Sequence, residues 1–289
     1  MTQPPNDNND LRPRLDDLGS EFGQRRSADQ ATPEVGEAQP IPQQQTFRLQ
    51  LPFGQARIFW VLLALNIGIF VIPTVLQILG VRFNGIPVND FLLLLGQKDN
   101  AAIRSGEYYR FLTSMFLHVG IFHIGFNAWA LYALGPQAER IYGTGRFLAL
   151  YFLAGLAGGV ASYMFSPDPA VGASGAIFGL VGALAAFFYL ARRVLGEVSR
   201  QQLGSLITVI MINMFIGFSS GGRIDNFAHI GGLIGGALVG WLLAPRLEID
   251  QRLYPPQITR RNLPGGWAGA LAVLALLVFL ILTIQPPIQ

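Results

Sequence analysis

The chain alternates between long uncharged windows and short charged connections. Seven windows of 20 or more residues lack Asp, Glu, Lys and Arg: 58–81, 111–138, 147–167, 169–191, 201–222, 226–245 and 262–289. Each can cross a hydrocarbon core of about 30 Å as a helix of roughly 20 residues. The pattern predicts spans at about 58–79, 121–138, 147–165, 174–191, 203–218, 227–243 and 267–284. A transmembrane barrel would need alternating segments of about 10 residues, and continuous Leu, Ala, Gly and Phe runs are not that. The expected fold is therefore an all-α polytopic membrane protein.

The connections differ in kind. Residues 1–50 are rich in Pro, Gln, Asn and Asp and too poor in apolar residues to bury a core, which reads as a disordered cytoplasmic tail. No apolar run follows Met1, so no cleaved signal peptide is expected. The outer loop 80–120 is too long for a simple connection and is expected to pack on itself at the interface. Residues 244–266 read as a cytoplasmic linker to the last span.

Composition agrees with this class, because 51% of residues are hydrophobic and only 13% charged, against roughly a quarter charged in soluble domains. The few charges carry orientation. With the N-terminus inside, the inner side holds Arg48, Arg57, Arg140, Arg146, Arg192, Arg193, Arg200, Arg246, Arg252, Arg260 and Arg261. The outer side holds Arg82, Lys98, Arg104, Arg110 and Arg223, so eleven basic residues face five and an N-in, C-out arrangement is favoured. This bias explains the pI near 9.4 and needs no nucleic-acid partner. The absence of cysteine removes thiol chemistry, disulfides and Cys-based metal sites.

Polar residues inside apolar spans are costly and mark candidate function. The second window carries His118, His123 and Asn127. On a helix His123 and Asn127, four apart, share a face, whereas His118 is turned away by roughly 140° and reads as structural. The fourth span opens with Gly172-Ala173-Ser174-Gly175 and the sixth with Ala228-His229-Ile230-Gly231-Gly232. Gly175, Gly179 and Ala183 recur at intervals of four, as do Gly232, Gly236 and Gly240, and small residues at that spacing let helix backbones approach in lipid. If these faces meet, Ser174 and His229 can come within hydrogen-bond reach. Both stand at most six residues past an outer-loop aspartate, Asp168 or Asp225. Asp225, four before His229, is expected to lie in the solvated loop rather than complete a triad.

Taken in order, His118-x4-His123-x3-Asn127, Gly172-Ala-Ser174-Gly175 and Ala228-His229-x-Gly231-Gly232 resemble the rhomboid intramembrane serine proteases over roughly residues 56–243. The Glu139-Arg140-x-x-Gly143 turn is similar to that family's loop after the second span, and the helix at 267–284 resembles a six-plus-one arrangement with the added span at the C-terminus. The resemblance implies a six-helix core and cleavage of transmembrane protein substrates in the bilayer. It implies Ser174 as nucleophile and His229 as general base, forming a dyad without a carboxylate. It further implies His123, Asn127 and the Ser174 N–H as the oxyanion site, Gly172 as the residue that lets the loop approach, and His118 as a brace for the outer loop. Gly175 and Gly231 belong to the same motifs. Tyr109-Arg110 stands where many members have Trp-Arg, and Phe178 where some have Tyr beneath the histidine ring. No cofactor or metal is expected, and the expected location is the bacterial plasma membrane. A rhomboid-like chaperone or trafficking factor would be expected to lack the serine or the histidine, and a transporter to carry ionised residues within its spans.

Overall fold

The structure, a computed structural model, describes residues 54–221, 224–254 and 256–287. The expected tail 1–50 lies outside the described residues. Helix α1 (Ile58–Ile78) leads through a two-residue hairpin, β1 (Arg82–Phe83) and β2 (Ile86–Pro87), into the short helices α2 (Val88–Gly96), α3 (Asn100–Arg104) and α4 (Arg110–Thr113). A 3-10 turn, Ser114–Phe116, precedes α5 (Ile121–Tyr142). Then follow α6 (Thr144–Phe165), α7 (Ser174–Leu195), α8 (Glu197–Ser219) and α9 (Asn226–Leu243). An antiparallel hairpin, β3 (Arg246–Asp250) and β4 (Gln257–Arg261), connects to α10 (Gly266–Thr283).

Among the described residues, α1, α6, α7, α8, α9 and α10 are each long and apolar enough to cross a membrane. The segment Arg110–Phe116, bent 93° from α5, makes with it a seventh candidate. The fold is the all-α polytopic bundle that the sequence predicts.

Helix α7 is the centre of the bundle and is buried along most of its length. Its seam with α9 is built from glycine. A Cβ on Gly232 would stand 2.0 Å from Gly175 O, one on Gly236 2.1 Å from Gly179 O, and one on Gly240 2.5 Å from Ala183 Cα. The two rows therefore meet in register, and backbone touches backbone. Gly231, by contrast, faces α6, where its Cβ would meet Ala161 Cβ at 2.4 Å and Ala157 O at 2.8 Å. In lipid such close approach supplies the dispersion contacts that apolar burial supplies in water.

The end of the bundle away from Ser174 is closed by a carboxylate. Glu139, fully buried, accepts from the N–H groups of Arg57 (3.0 Å), Ile58 (3.0 Å) and Phe59 (2.9 Å) and from Thr144 Oγ1 (2.9 Å). Helix α1 has no side-chain cap of its own, so Glu139 satisfies its orphan donors from α5. The stretch expected as a plain linker, 244–266, instead holds the β3–β4 hairpin. Its Leu247 and Ile258 are buried in the main core, and Arg260 donates to Ile141 O at the end of α5 (2.6 Å).

Candidate active site

Ser174 is the first residue of α7, so its N–H is one of the helix's orphan donors. The backbone entering it is held on several sides. Gly172 N–H donates to Ser114 O (2.8 Å), and Ala173 N–H points to His118 Nε2 (3.5 Å). Gly172 has φ +125°, and a Cβ there would stand 2.7 Å from His123 Nε2 and 3.8 Å from Ser174 Oγ. Only glycine suits both the conformation and the space.

His123 sits on the first turn of α5 with its Nε2 edge over Gly172. Val119 N–H points to its Nδ1 (3.4 Å), which makes Nδ1 the acceptor and assigns the proton of the neutral ring to Nε2. A donor thus faces the start of α7. Asn127, buried one turn on, donates through Nδ2 to His123 O (2.9 Å).

His118 corrects the helical projection. Because α5 begins only at Ile121, after Gly120 with φ +85°, His118 is not on the helix with His123. The two rings instead meet edge to face with centroids 5.0 Å apart. Its Nδ1 contacts Phe116 O (3.2 Å) and its Nε2 accepts from Ala173, so His118 spans from the loop to the residue before Ser174.

His229 stands in the first turn of α9, 9% exposed, with its ring stacked on Phe178 at 4.3 Å and 15°. Its Nδ1 is buried and has no hydrogen-bond partner among the described residues. Asp225 is not that partner. It is half-buried rather than solvated and caps α9, taking Ala228 N–H on Oδ1 (3.0 Å) and the Ser162 hydroxyl on Oδ2. Ser174 and His229 thus stand in the first turns of the two helices joined by the glycine seam. No Ser174–His229 hydrogen bond is formed among the described residues, and such bonds in free enzymes often tighten only once substrate is bound.

Two residues that sequence reasoning passed over line the same end. Lys98, 1% exposed, donates from Nζ to Ser166 O (2.8 Å) and Asp168 O (2.9 Å). Burial pulls its pKa from 10.5 down to about 8, against the opposing pull of Asp225, Asp168 and Asp99. Asn100, 3% exposed, is the other. Among the described residues no group of three or more His, Asp or Glu is arranged to hold a metal ion.

The family model for the Rhomboid domain matches residues 105–246. Rhomboid protease GluP of Bacillus subtilis is 44% identical over 169 residues, which cover 58% of this chain and 32% of that protein. Putative rhomboid protease YdcA of the same organism is 32% identical over 151 residues, covering 52% and 74%. Rhomboid-like protease 1 of Toxoplasma gondii is 30% identical over 228 residues, covering 78% and 74%. The chain therefore spans about a third of the first relative's length and about three quarters of the other two.

Proposed function

The chain belongs to the rhomboid family, and from that premise we propose that it is an intramembrane serine endopeptidase cleaving transmembrane segments of membrane proteins. One observation carries the reading. A buried imidazole, His229, stacked on Phe178 and with no carboxylate on Nδ1 among the described residues, stands in the first turn of a helix packed backbone to backbone against the helix that Ser174 begins.

In this reading His229 takes the Ser174 proton as Oγ attacks the scissile carbonyl carbon. Packing against Phe178 orients the ring in place of a third residue. The developing oxyanion is met by His123 Nε2–H, by the Ser174 N–H and by Asn127, once its amide turns from His123 O. Each such donor is worth a few kcal/mol in the transition state. His229 then protonates the leaving amine, and water hydrolyses the acyl-enzyme.

With the N-terminus inside, cleavage takes place near the outer face, because Ser174 follows the loop containing Asp168. An accessibility tag near Asn84 is then reached from outside and one near Arg260 only from inside. The inverse pattern keeps the chemistry and moves it to the inner face.

The decisive experiment is labelling with a fluorophosphonate followed by mapping of the adduct. The expected result is one adduct on Ser174, lost in Ser174→Ala. An unlabelled wild-type protein would overturn the serine-protease reading and favour a rhomboid-like membrane chaperone.

A further inference from the structure

The mechanism above uses neither Lys98 nor Asn100, yet both polar side chains are buried, and burial of an ammonium or an amide is costly unless its donors are satisfied. Their partners are main-chain carbonyls from three separate segments. Asn100 Nδ2 faces Tyr163 O (3.4 Å) in the last turn of α6, Ser166 O (3.0 Å) just beyond it, and Pro287 O (2.5 Å) after the end of α10. Lys98 Nζ shares Ser166 O and adds Asp168 O. The Lys98 backbone also pairs with Ala170 in both directions, at 2.9 and 3.1 Å. Ala170 lies four residues before Ser174.

The route from the tail of α10 to the nucleophile is therefore short and made of hydrogen bonds. Pro287 O is held by Asn100, Asn100 and Lys98 hold Ser166 O, and the backbone of Lys98 holds Ala170. From Ala170 the chain runs through Gly172, pinned to Ser114, into Ser174.

We propose that Lys98 and Asn100 form a latch through which the tail following α10 sets the position of the segment entering Ser174, so that both are positioning residues for the proposed reaction. The inference rests on Ser174 being the nucleophile. A reaction of this kind tolerates little misplacement, since about 1 Å can cost 10²-fold.

The test removes residues from 285 onward, which deletes the Pro287 carbonyl and leaves α1 to α10 intact. The rate of fluorophosphonate labelling at Ser174, and kcat on a reporter transmembrane substrate, should fall about tenfold with KM unchanged. Amide hydrogen exchange at Ala170 and Gly172 should speed up, while exchange within α7 and α9 stays as in the intact chain. Asn100→Ala should reproduce these effects, and the combination should be no worse than the larger single loss, because both changes break one link. Intact rates together with unchanged exchange at Ala170 and Gly172 after truncation would overturn the latch. So would faster exchange spread evenly through the bundle, which marks a general loss of stability. If wild-type Ser174 takes no label, the protease reading fails by itself, and the exchange comparison still decides the latch.

Discussion

The ring of Phe178 lies nearly flat on the imidazole of His229, with centroids 4.3 Å and planes 15° apart. In the proposed dyad no carboxylate aims the base, and this face-to-face contact is assigned the role of fixing the ring. Aromatic pairs of this kind are worth about 0.5–1.5 kcal/mol beyond area burial. Phe178→Leu should therefore lower kcat up to about tenfold, whereas Phe178→Tyr, which keeps the stack, should stay within a few-fold. Steady-state kinetics on a reporter transmembrane substrate measures both, and equal losses in the two variants would remove the orienting role.

Ser174→Ala and His229→Ala should each abolish cleavage, and the double variant should be no worse than either alone, because nucleophile and base act as a unit. Thermal unfolding in detergent should show all three folded. Residual activity above a few per cent in Ser174→Ala, or additive losses, would count against the dyad.

Asp225 tests the triad directly. Its oxygens are engaged by Ala228 N–H and the Ser162 hydroxyl, so Asp225→Ala should cost about 1 kcal/mol or somewhat more as a lost cap and leave most activity in place. A loss near 10⁴-fold would mean that Asp225 supports His229 in turnover.

Glu139 receives three α1 N–H groups and a hydroxyl in a site closed to solvent. Glu139→Ala leaves those donors buried and unpaired, at about 1–3 kcal/mol for each such group. A fall in unfolding temperature far beyond that of Asp225→Ala is expected, and near-equal values would contradict the capping role.

Lys98 gives a pH signature. The unfolded chain keeps its proton to about 10.5, the folded chain releases it near 8, so between those values the unfolded state binds more protons. Stability contributed by this group therefore rises with pH across that window and is flat below it. The ceiling is about 3 kcal/mol at 1.36 kcal/mol per unit. Wild type compared with Lys98→Met at pH 7.5 and pH 10 should shift in favour of wild type at the higher pH, and a shift the other way would contradict the burial of the charge.

Ser174 and His229, as candidates, and the glycine rows are legible in the sequence for one reason. In an apolar span a polar residue or a spaced glycine stands out, and helical periodicity fixes its face. Lys98 and Asn100 are not legible, since a lysine in a polar loop is ordinarily solvated. Their burial depends on carbonyls 63 to 187 positions away. The angular projection of His118 relative to His123 does not apply, because the chain turns at Gly120 before the helix begins. The β3–β4 hairpin escaped because its strands are five residues long and carry several charges, and only contact with the core reveals Leu247 and Ile258 as inward.

The seam between α7 and α9 has a bearing on which sequences can keep this architecture. At exposed positions of the apolar helices such as Ile72 or Phe215, side-chain volume can vary, and tolerance should fall off gradually. At Gly232 and Gly236 the first carbon atom added already lies about 2 Å from a carbonyl oxygen. Alanine, the mildest replacement elsewhere, exceeds the available room there as surely as valine does. Tolerance along this line is all or none, set by the main chain of the opposite helix rather than by any side chain.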